Sequence, residues 1–506
     1  MALTAVRLVA CLASGLLVSN ATFARQVEIV LLHTSDVQGH VLSRPDWEHG
    51  QGQSGLLRCA TLVQEERDQS DNILLLDCGG FLNGSPESWV TEGRLPRNAA
   101  LWLGYDAMLA DDWHLESSHL ETIQRWPAVD SGLPPSEVSR WRVRGVEPFR
   151  LFELDGIRVG VLGINESMVD HPGWSQSEVE AWGNKILKRS LQEMRGLRPQ
   201  ILVLLWRHSL WSDREDLQRA ASLASMFPEL DVILGGGSWR ARAEERAGRA
   251  VYSGAGSQAR YLGRVALTYD TVQKETVSRH AELLEPSHEV KELTGLRQVL
   301  GGELTRVEVR LDTIMVHSTR RVEGSSDWPG QSGVQHLISL AVQEAIEADL
   351  VLYGKQARAA LPLGPVRLSD LFRIAPLREE WVAMSLVAAD VRAVLEENAM
   401  SLGSPSFLGC FGVTYDYHLE ADPGMRVQNL RLVDGQKPHG RKRLTVLVPA
   451  RLVDGEGLHR SVLRGLASQP INRLRRLDID TQSALVEYVE SVDSLDLKAQ
   501  KGMSRP

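Results

Sequence analysis

Beyond its first 24 residues the chain has no apolar run approaching 18 residues, so no later segment is expected to span a bilayer. Cysteine is scarce. Cys11, Cys59, Cys78 and Cys410 are the whole supply, widely spaced and without a metal-like pair. That excludes a disulfide-stapled scaffold and leaves room for one disulfide at most. Positive charge is in deficit, with 56 Lys and Arg against 65 Asp and Glu and a net charge of −9. No broad basic field is therefore available for nucleic acid or an anionic membrane, and neither is an expected partner. Phe and Tyr are few, eight each, while Trp numbers 13, a skew that decides nothing alone. Repeats and low-complexity segments are lacking too. What is left, 506 residues of which 43% are hydrophobic, is an ordinary globular chain of two or three domains.

The N-terminus reads as an export signal. Arg7 is the only charge before Arg25, and an apolar run from Leu8 to Val18 follows it. Thr22-Phe23-Ala24 then offers small residues at the two positions a signal peptidase reads. Residues 1–24 are expected to be cleaved and the mature protein to be periplasmic or extracellular. Leu8-Val9-Ala10-Cys11 also matches a lipoprotein box, although Arg7 leaves little apolar length before Cys11.

Residues 26–285 alternate strand-like and helix-like segments. Val27 to Leu32, Ile73 to Leu76, Ile157 to Ile164, Ile201 to Leu205 and Val232 to Leu234 are near-continuous apolar runs, each followed by polar or Gly-rich residues. Runs of that kind suit strands covered on both faces, with chemistry expected where loops leave the strand ends. Residues 286–310 read as a charged connector helix, and residues 311–490 as a second block. That block opens with an amphipathic helix carrying Val334, Leu337, Ile338, Ala341, Val342, Ala345 and Ile346 on one face. It continues with a strand at Leu444–Val448 and a helix at Ala388–Asn398, and residues 491–506 read as a loose tail.

Several segments then fall into a familiar order. They are Leu31-Leu32-His33-Thr34-Ser35-Asp36, Leu74 through Asp77-Cys78-Gly79-Gly80 to Gly84-Ser85-Pro86, Gly104-Tyr105-Asp106, Asp231 to Gly236, and Tyr261-Leu262-Gly263-Arg264. In the second block comes Arg358-Ala359-x-x-Pro362-x-Gly364-Pro365-Val366. Together they resemble the two-domain 5′-nucleotidase family of the calcineurin-like metallophosphoesterases. The resemblance implies an α/β chain: a four-layer metallophosphoesterase (calcineurin-like) domain followed by a smaller α/β 5′-nucleotidase C-terminal domain. It also implies two divalent metals (Mn²⁺ or Zn²⁺) and hydrolysis of nucleotide phosphate esters.

Such a centre needs two cations about 3.5–4 Å apart and roughly seven Asp, His and Asn ligands, one carboxylate being shared. Carried onto this chain, Asp36 matches the first ligand. Gln38 stands where the family has His, Gly80 at the bridging Asp, and Asp112 at the Asn ligand. Trp113 and Glu116 occupy the positions of the catalytic His and the Asp that orients it, and an indole N–H has no lone pair to relay a proton. Arg207 falls at a ligand His, which a one-residue slip would restore as His208, and Gly237 and Trp239 replace the last two ligands. The related thiosulfohydrolases carry Trp at the position of Trp113, but they keep the bridging Asp and the later histidines. In the second block Tyr353 and Lys355-Gln356 replace an amide and two glycines of the substrate motif. Arg358 is retained, Phe407 fits one of two base-stacking rings, and Leu458 cannot supply the other.

Each of these residues also has a plain reading. Asp36 is a surviving ligand or a turn cap, and Asp111-Asp112 a cation site or a solvated pair. His33, His40 and His114 are a replacement cluster or locally bonded side chains. Arg207, near Asp112, fills the space a metal left and neutralises a leftover carboxylate, or is a surface Arg. Arg358 holds an anion or an ordinary salt bridge. The favoured expectation is an exported, catalytically degenerate binding module with at most one divalent metal and a small anion as ligand. The alternative is a working periplasmic hydrolase built on Asp36, Gln38, Asp112, His114 and His208. A third is a partner-binding protein anchored by its Trp residues.

Overall fold

The computed structural model describes residues 25–45, 53–82, 84–110, 126–132, 146–166, 176–208, 213–238, 240–324, 332–354, 359–376, 378–402, 407–438, 442–454, 461–497 and 503–504. Residues 1–24 and the expected site residues Asp112, Trp113, His114, Glu116, Trp239 and Arg358 lie outside that set.

The first block is a sandwich of two six-stranded sheets. One is built on β1 (Gln26–Thr34), β2 (Ile73–Asp77), β3 (Ala107–Leu109) and β4 (Ala128–Val129), all parallel. The other holds β5 (Phe149–Leu154), β6 (Ile157–Asn165), β7 (Ile201–Arg207), β8 (Val232–Gly236), β9 (Ala241–Ala247) and β10 (Ala250–Ala255), in the order β9-β10-β8-β7-β6-β5. Antiparallel strands β11 (Leu262–Asp270) and β12 (Glu275–Leu284) complete the first sheet, whose order is β12-β11-β1-β2-β3-β4.

Alternation along each strand sorts its side chains between layers. On β1, Ile29 and Leu31 enter the core between the sheets while Val30 and Leu32 face the helices α1 (Leu56–Arg67) and α3 (Arg94–Leu103), with α2 (Pro86–Thr91) between them in sequence. On β7, Ile201, Val203 and Leu205 point inward, whereas Leu202, Leu204 and Trp206 pack toward α4 (Gln176–Arg195) and α5 (Asp213–Met226). Helix, sheet, sheet, helix is the four-layer arrangement expected, and it explains why these strands are apolar throughout.

Residues 286–293, expected as helix, run as turns instead. The Leu293 N–H donates to Leu57 O and Thr61 Oγ1 donates to Lys291 O, so the segment is pinned along α1. Helix begins only at α6 (Thr294–Val299) and resumes in α7 (Gly301–Leu311), broken at Leu300 before the Gly301-Gly302 pair.

In the second block α8 (Gly333–Ala345) starts with a capping box between Ser332 and Gln335. Helices α9 (Leu368–Ile374), α10 (Ala388–Ala399) and α11 (Thr481–Ser491) accompany a five-stranded sheet. Its strands are β13 (Leu350–Gly354), β14 (Glu380–Val387), β15 (Leu408–Phe411), β16 (Arg443–Pro449) and β17 (Arg475–Asp480), ordered β15-β13-β16-β14-β17.

The tail is less loose than its composition suggested. Residues 491–492 still belong to the end of α11, Leu495 exchanges backbone hydrogen bonds with His317 and Thr319, and Met503–Ser504 pair with Tyr415 and Asp416. One apolar cluster runs from Leu57 and Leu95 through Leu304 and Val307 to Leu337 and Phe372, joining the two blocks.

Candidate functional site

Four strand ends converge: β1 and β2 from one sheet, β7 and β8 from the other. The loops after β1 and β2 are zipped together by backbone bonds. Asp36 N–H donates to Gly79 O at 2.9 Å, Gln38 N–H to Gly80 O at 2.8 Å and Gly39 N–H to Phe81 O at 2.7 Å. Asp36 (φ +47°) and Gln38 (φ +52°) adopt the left-handed conformation that this path requires. Asp77, the acid ending β2, is consumed in support: Thr34 Oγ1 donates to its Oδ2 at 2.6 Å and Gly79 N–H to its Oδ1 at 2.8 Å.

At the centre lies Asp36, 4% exposed. Arg207 Nη1 donates to Asp36 Oδ1 at 2.5 Å and the Gly237 N–H to Oδ2 at 2.7 Å, so both carboxylate oxygens are engaged by protein donors. Residue 207 continues the inward series 201, 203, 205 of β7, which brings its guanidinium between the sheets. Gly80 is the counterpart of that placement. A Cβ at position 80 would collide with Arg207 Nη1 and stand 2.6 Å from Asp36 Oδ1, while one on Gly79 would lie 3.2 Å from Arg207 Cδ. The guanidinium thus occupies the volume that any side chain at 80 would need. Gly237 (φ +90°) is tighter still, since a Cβ there would run into the carbonyl oxygen of His208.

His208 belongs to the opposite layer. It follows the outward series 202, 204, 206, packs its ring 4.4 Å from that of Trp206, and places Nδ1 3.3 Å from Asp216 Oδ1 of α5. A slip that would make His208 the ligand at this strand end is therefore corrected by strand alternation. His33 is a core side chain. Its Nε2 meets Ser253 Oγ at 3.1 Å, and burial pushes its pKa down to about 3. His40 instead faces Val37 O at 3.2 Å, so the two described members of the expected histidine cluster have separate local partners.

Phe407, a tentative base-stacking ring, is 8% exposed and packs in the second block's core 6.4 Å from Tyr417. Tyr353 stacks on Trp381 at 5.5 Å, filling space rather than leaving it open. Cys59, Cys78 and Cys410 are buried free thiols. Of the six described Trp residues, Trp102 alone exceeds one-third exposure.

The described residues do not fit a pair of divalent cations. Asp36 already has donors on both oxygens, Gly80 brings no side chain, and a permanent cation stands beside them. Among the described residues, no three His, Cys, Asp or Glu side chains are grouped to share an ion. Sequence reasoning missed the Gly237 N–H on Asp36, and it missed Asp130. That carboxyl is 5% exposed just after β4, accepts from Gly132 N–H at 2.7 Å, and is pushed by burial up to about 7. An isolated Asp after a two-residue strand gives no pattern from which to find it.

Residues 310–457 match the 5′-nucleotidase C-terminal domain family. The chain is 21% identical to the protein UshA of Yersinia enterocolitica over 73% of its own length and 76% of that relative. It is 20% identical to a 5′-nucleotidase of Vibrio cholerae over 69% and 71% of the two chains. The solved structure of a 5′-nucleotidase precursor from Thermus thermophilus superposes with a TM-score of 0.65 at 17% identity, covering 95% of this chain and 99% of that one. Residues 310–457 therefore carry a 5′-nucleotidase C-terminal domain, and in layer order and strand-end motifs the whole chain resembles the two-domain 5′-nucleotidases of the calcineurin-like metallophosphoesterases.

Proposed function

We propose that this chain is an exported member of its family that has kept the scaffold, exchanged the dimetal centre for a protein-only ion pair, and acts by binding rather than by hydrolysis. The Vibrio cholerae relative is a 5′-nucleotidase, so a phosphate-bearing or similar small anion is the natural ligand class, with Arg358 as its expected contact. The observation that carries this reading is the Arg207 guanidinium on Asp36, seated where a bridging carboxylate from position 80 would project.

Two cations repel each other and any nearby guanidinium, and they are tolerated only when anionic ligands outnumber them. Here one described carboxylate faces one fixed positive charge. The ion pair does a structural version of the same work, tying the loops after β1, β2, β7 and β8 to a common point.

Elemental analysis of the purified protein after dialysis against Mn²⁺ or Zn²⁺, with a parallel assay on 5′-AMP and bis-p-nitrophenyl phosphate, tests the proposal. Metal well below one ion per chain and no turnover above the blank are expected. Two ions per chain with turnover would make the protein a working hydrolase with a rearranged site.

A further inference from the structure

A second recess lies away from the strand ends, between α3 and the α6–α7 junction, with a cavity volume of about 590 Å³. That is within the range of small-molecule sites, roughly 300–1,000 Å³. Its apolar side is the indole of Trp102, 41% exposed, together with Leu300 and Val299, itself 64% exposed. Trp102 is held from behind, since a Cβ on Gly295 would lie 3.3 Å from its ring.

The polar side is formed by Asn98, Glu303 and Arg306. Glu303, the acid on this wall, has Arg94 Nε at 3.3 Å and Asn98 Nδ2 at 3.3 Å. Arg306, one turn further along α7, has no ion-pair partner among the described residues. Arg97, one turn along α3 from Arg94 and outside the lining of the recess, is 8% exposed, and its Nε is buried without a hydrogen bond. Burial and the like charge of Arg94 lower the Arg97 pKa, opposed by Glu303. Glu303 is thus engaged by Arg94, which leaves Arg306 as the unpaired cation of this wall among the described residues, beside an exposed aromatic face.

We propose that this recess binds a small amphipathic anion, whose ring or alkyl part lies on Trp102 and Val299 and whose carboxylate or phosphate is taken by Arg306. Guanidinium forks recognise such oxyanions, and an indole face accepts a flat apolar group. The site is separate from Asp36 and Arg207, so it stands or falls independently of the reading given for them.

Titration calorimetry of the full chain with 2-naphthoate tests it, with 2-naphthalenemethanol as the neutral analogue and inorganic phosphate as the ring-free one. Saturable 2-naphthoate binding is expected, weakened roughly tenfold by Arg306→Gln and by Trp102→Ala. The distant control Arg431→Gln should leave it unchanged, and both probes lacking one half of the ligand should bind at least about tenfold more weakly. Circular dichroism and the melting temperature establish that each variant is folded, which two solvent-exposed positions favour. No saturable naphthoate binding to the wild type overturns the proposal, as does equal affinity for the alcohol. Binding unaltered in both folded variants overturns it as well, because the probe then sits elsewhere.

Discussion

Gly80 and Arg207 are a matched pair, each intelligible only through the other. Arg207→Ala removes the guanidinium from a carboxylate that is 6% exposed, while the Gly237 N–H on its other oxygen stays. That should cost about 2–3 kcal/mol, read as a lowered denaturant midpoint, because an uncompensated buried charge is expensive. Gly80→Asp should also destabilise, through collision with Nη1 and a second negative charge beside Asp36. The double variant Gly80→Asp/Arg207→Ala should be better than the sum of the two by about 1 kcal/mol or more, since removing the guanidinium takes away the collision that Gly80→Asp creates. Strict additivity would mean that the two residues do not share space. Two further buried groups set opposing pH slopes. Asp130, pushed up to about 7, holds its proton more tightly folded than unfolded, so it stabilises most at low pH and that contribution is lost as pH rises from about 4 to about 7. His33, held down to about 3, resists protonation when folded, so its contribution is present above pH 6.5 and lost as pH falls toward about 3. Asp130→Asn should therefore make stability fall more steeply between pH 6.5 and 4, and His33→Asn should make it fall less or rise. Equilibrium unfolding across that window checks both signs, and parallel curves for the two variants would contradict them.

At the scale of elements, the inward and outward rows of β7 decide what the strand end does. The odd row delivers Arg207 between the sheets. The even row delivers Trp206, whose Nε1 donates to Glu166 Oε2 at 3.0 Å, and Glu166 in turn takes Arg219 of α5 at 2.5 Å. Glu166→Ala should cost about 3 kcal/mol by stranding a guanidinium that is 3% exposed, read as a lowered denaturant midpoint, while metal content after Mn²⁺ dialysis should stay as in the wild type. Much of this was legible beforehand. Near-continuous apolar runs gave away strands covered on both faces, and their polar ends located the loops that carry the site. Alternation, counted back from Arg207 through Leu205 and Val203, was enough to choose Arg207 over His208, whereas counting from paired leucines alone left a slip open. The partner of Arg207 was harder to read. Asp36 and Arg207 are separated by 171 residues, and only the packing of one sheet on the other shows that the guanidinium meets Asp36. The connector was misjudged because its charged residues favour helix locally, while bonds to α1 hold the backbone in turns.

At the scale of the whole molecule the two blocks share a core. Trp89 on α2 reaches across to the ring of Phe372 at 5.6 Å and donates to Ser483 Oγ at 3.4 Å, within an apolar cluster continuous from the first block into the second. Burial of that kind couples their unfolding, so calorimetry should give a single cooperative transition, and Trp89→Ala should lower it or split it in two. Two well-separated transitions in the wild type would show that the blocks melt independently. The claim on which the molecule's character turns is that Asp36 is satisfied by Arg207 and Gly237 instead of by metal. Anomalous diffraction from crystals grown in millimolar Mn²⁺ measures this directly. The prediction is a guanidinium against Asp36 with no anomalous peak beside it, whereas a pair of peaks about 3.5–4 Å apart at that carboxylate, with Arg207 displaced, would contradict the account.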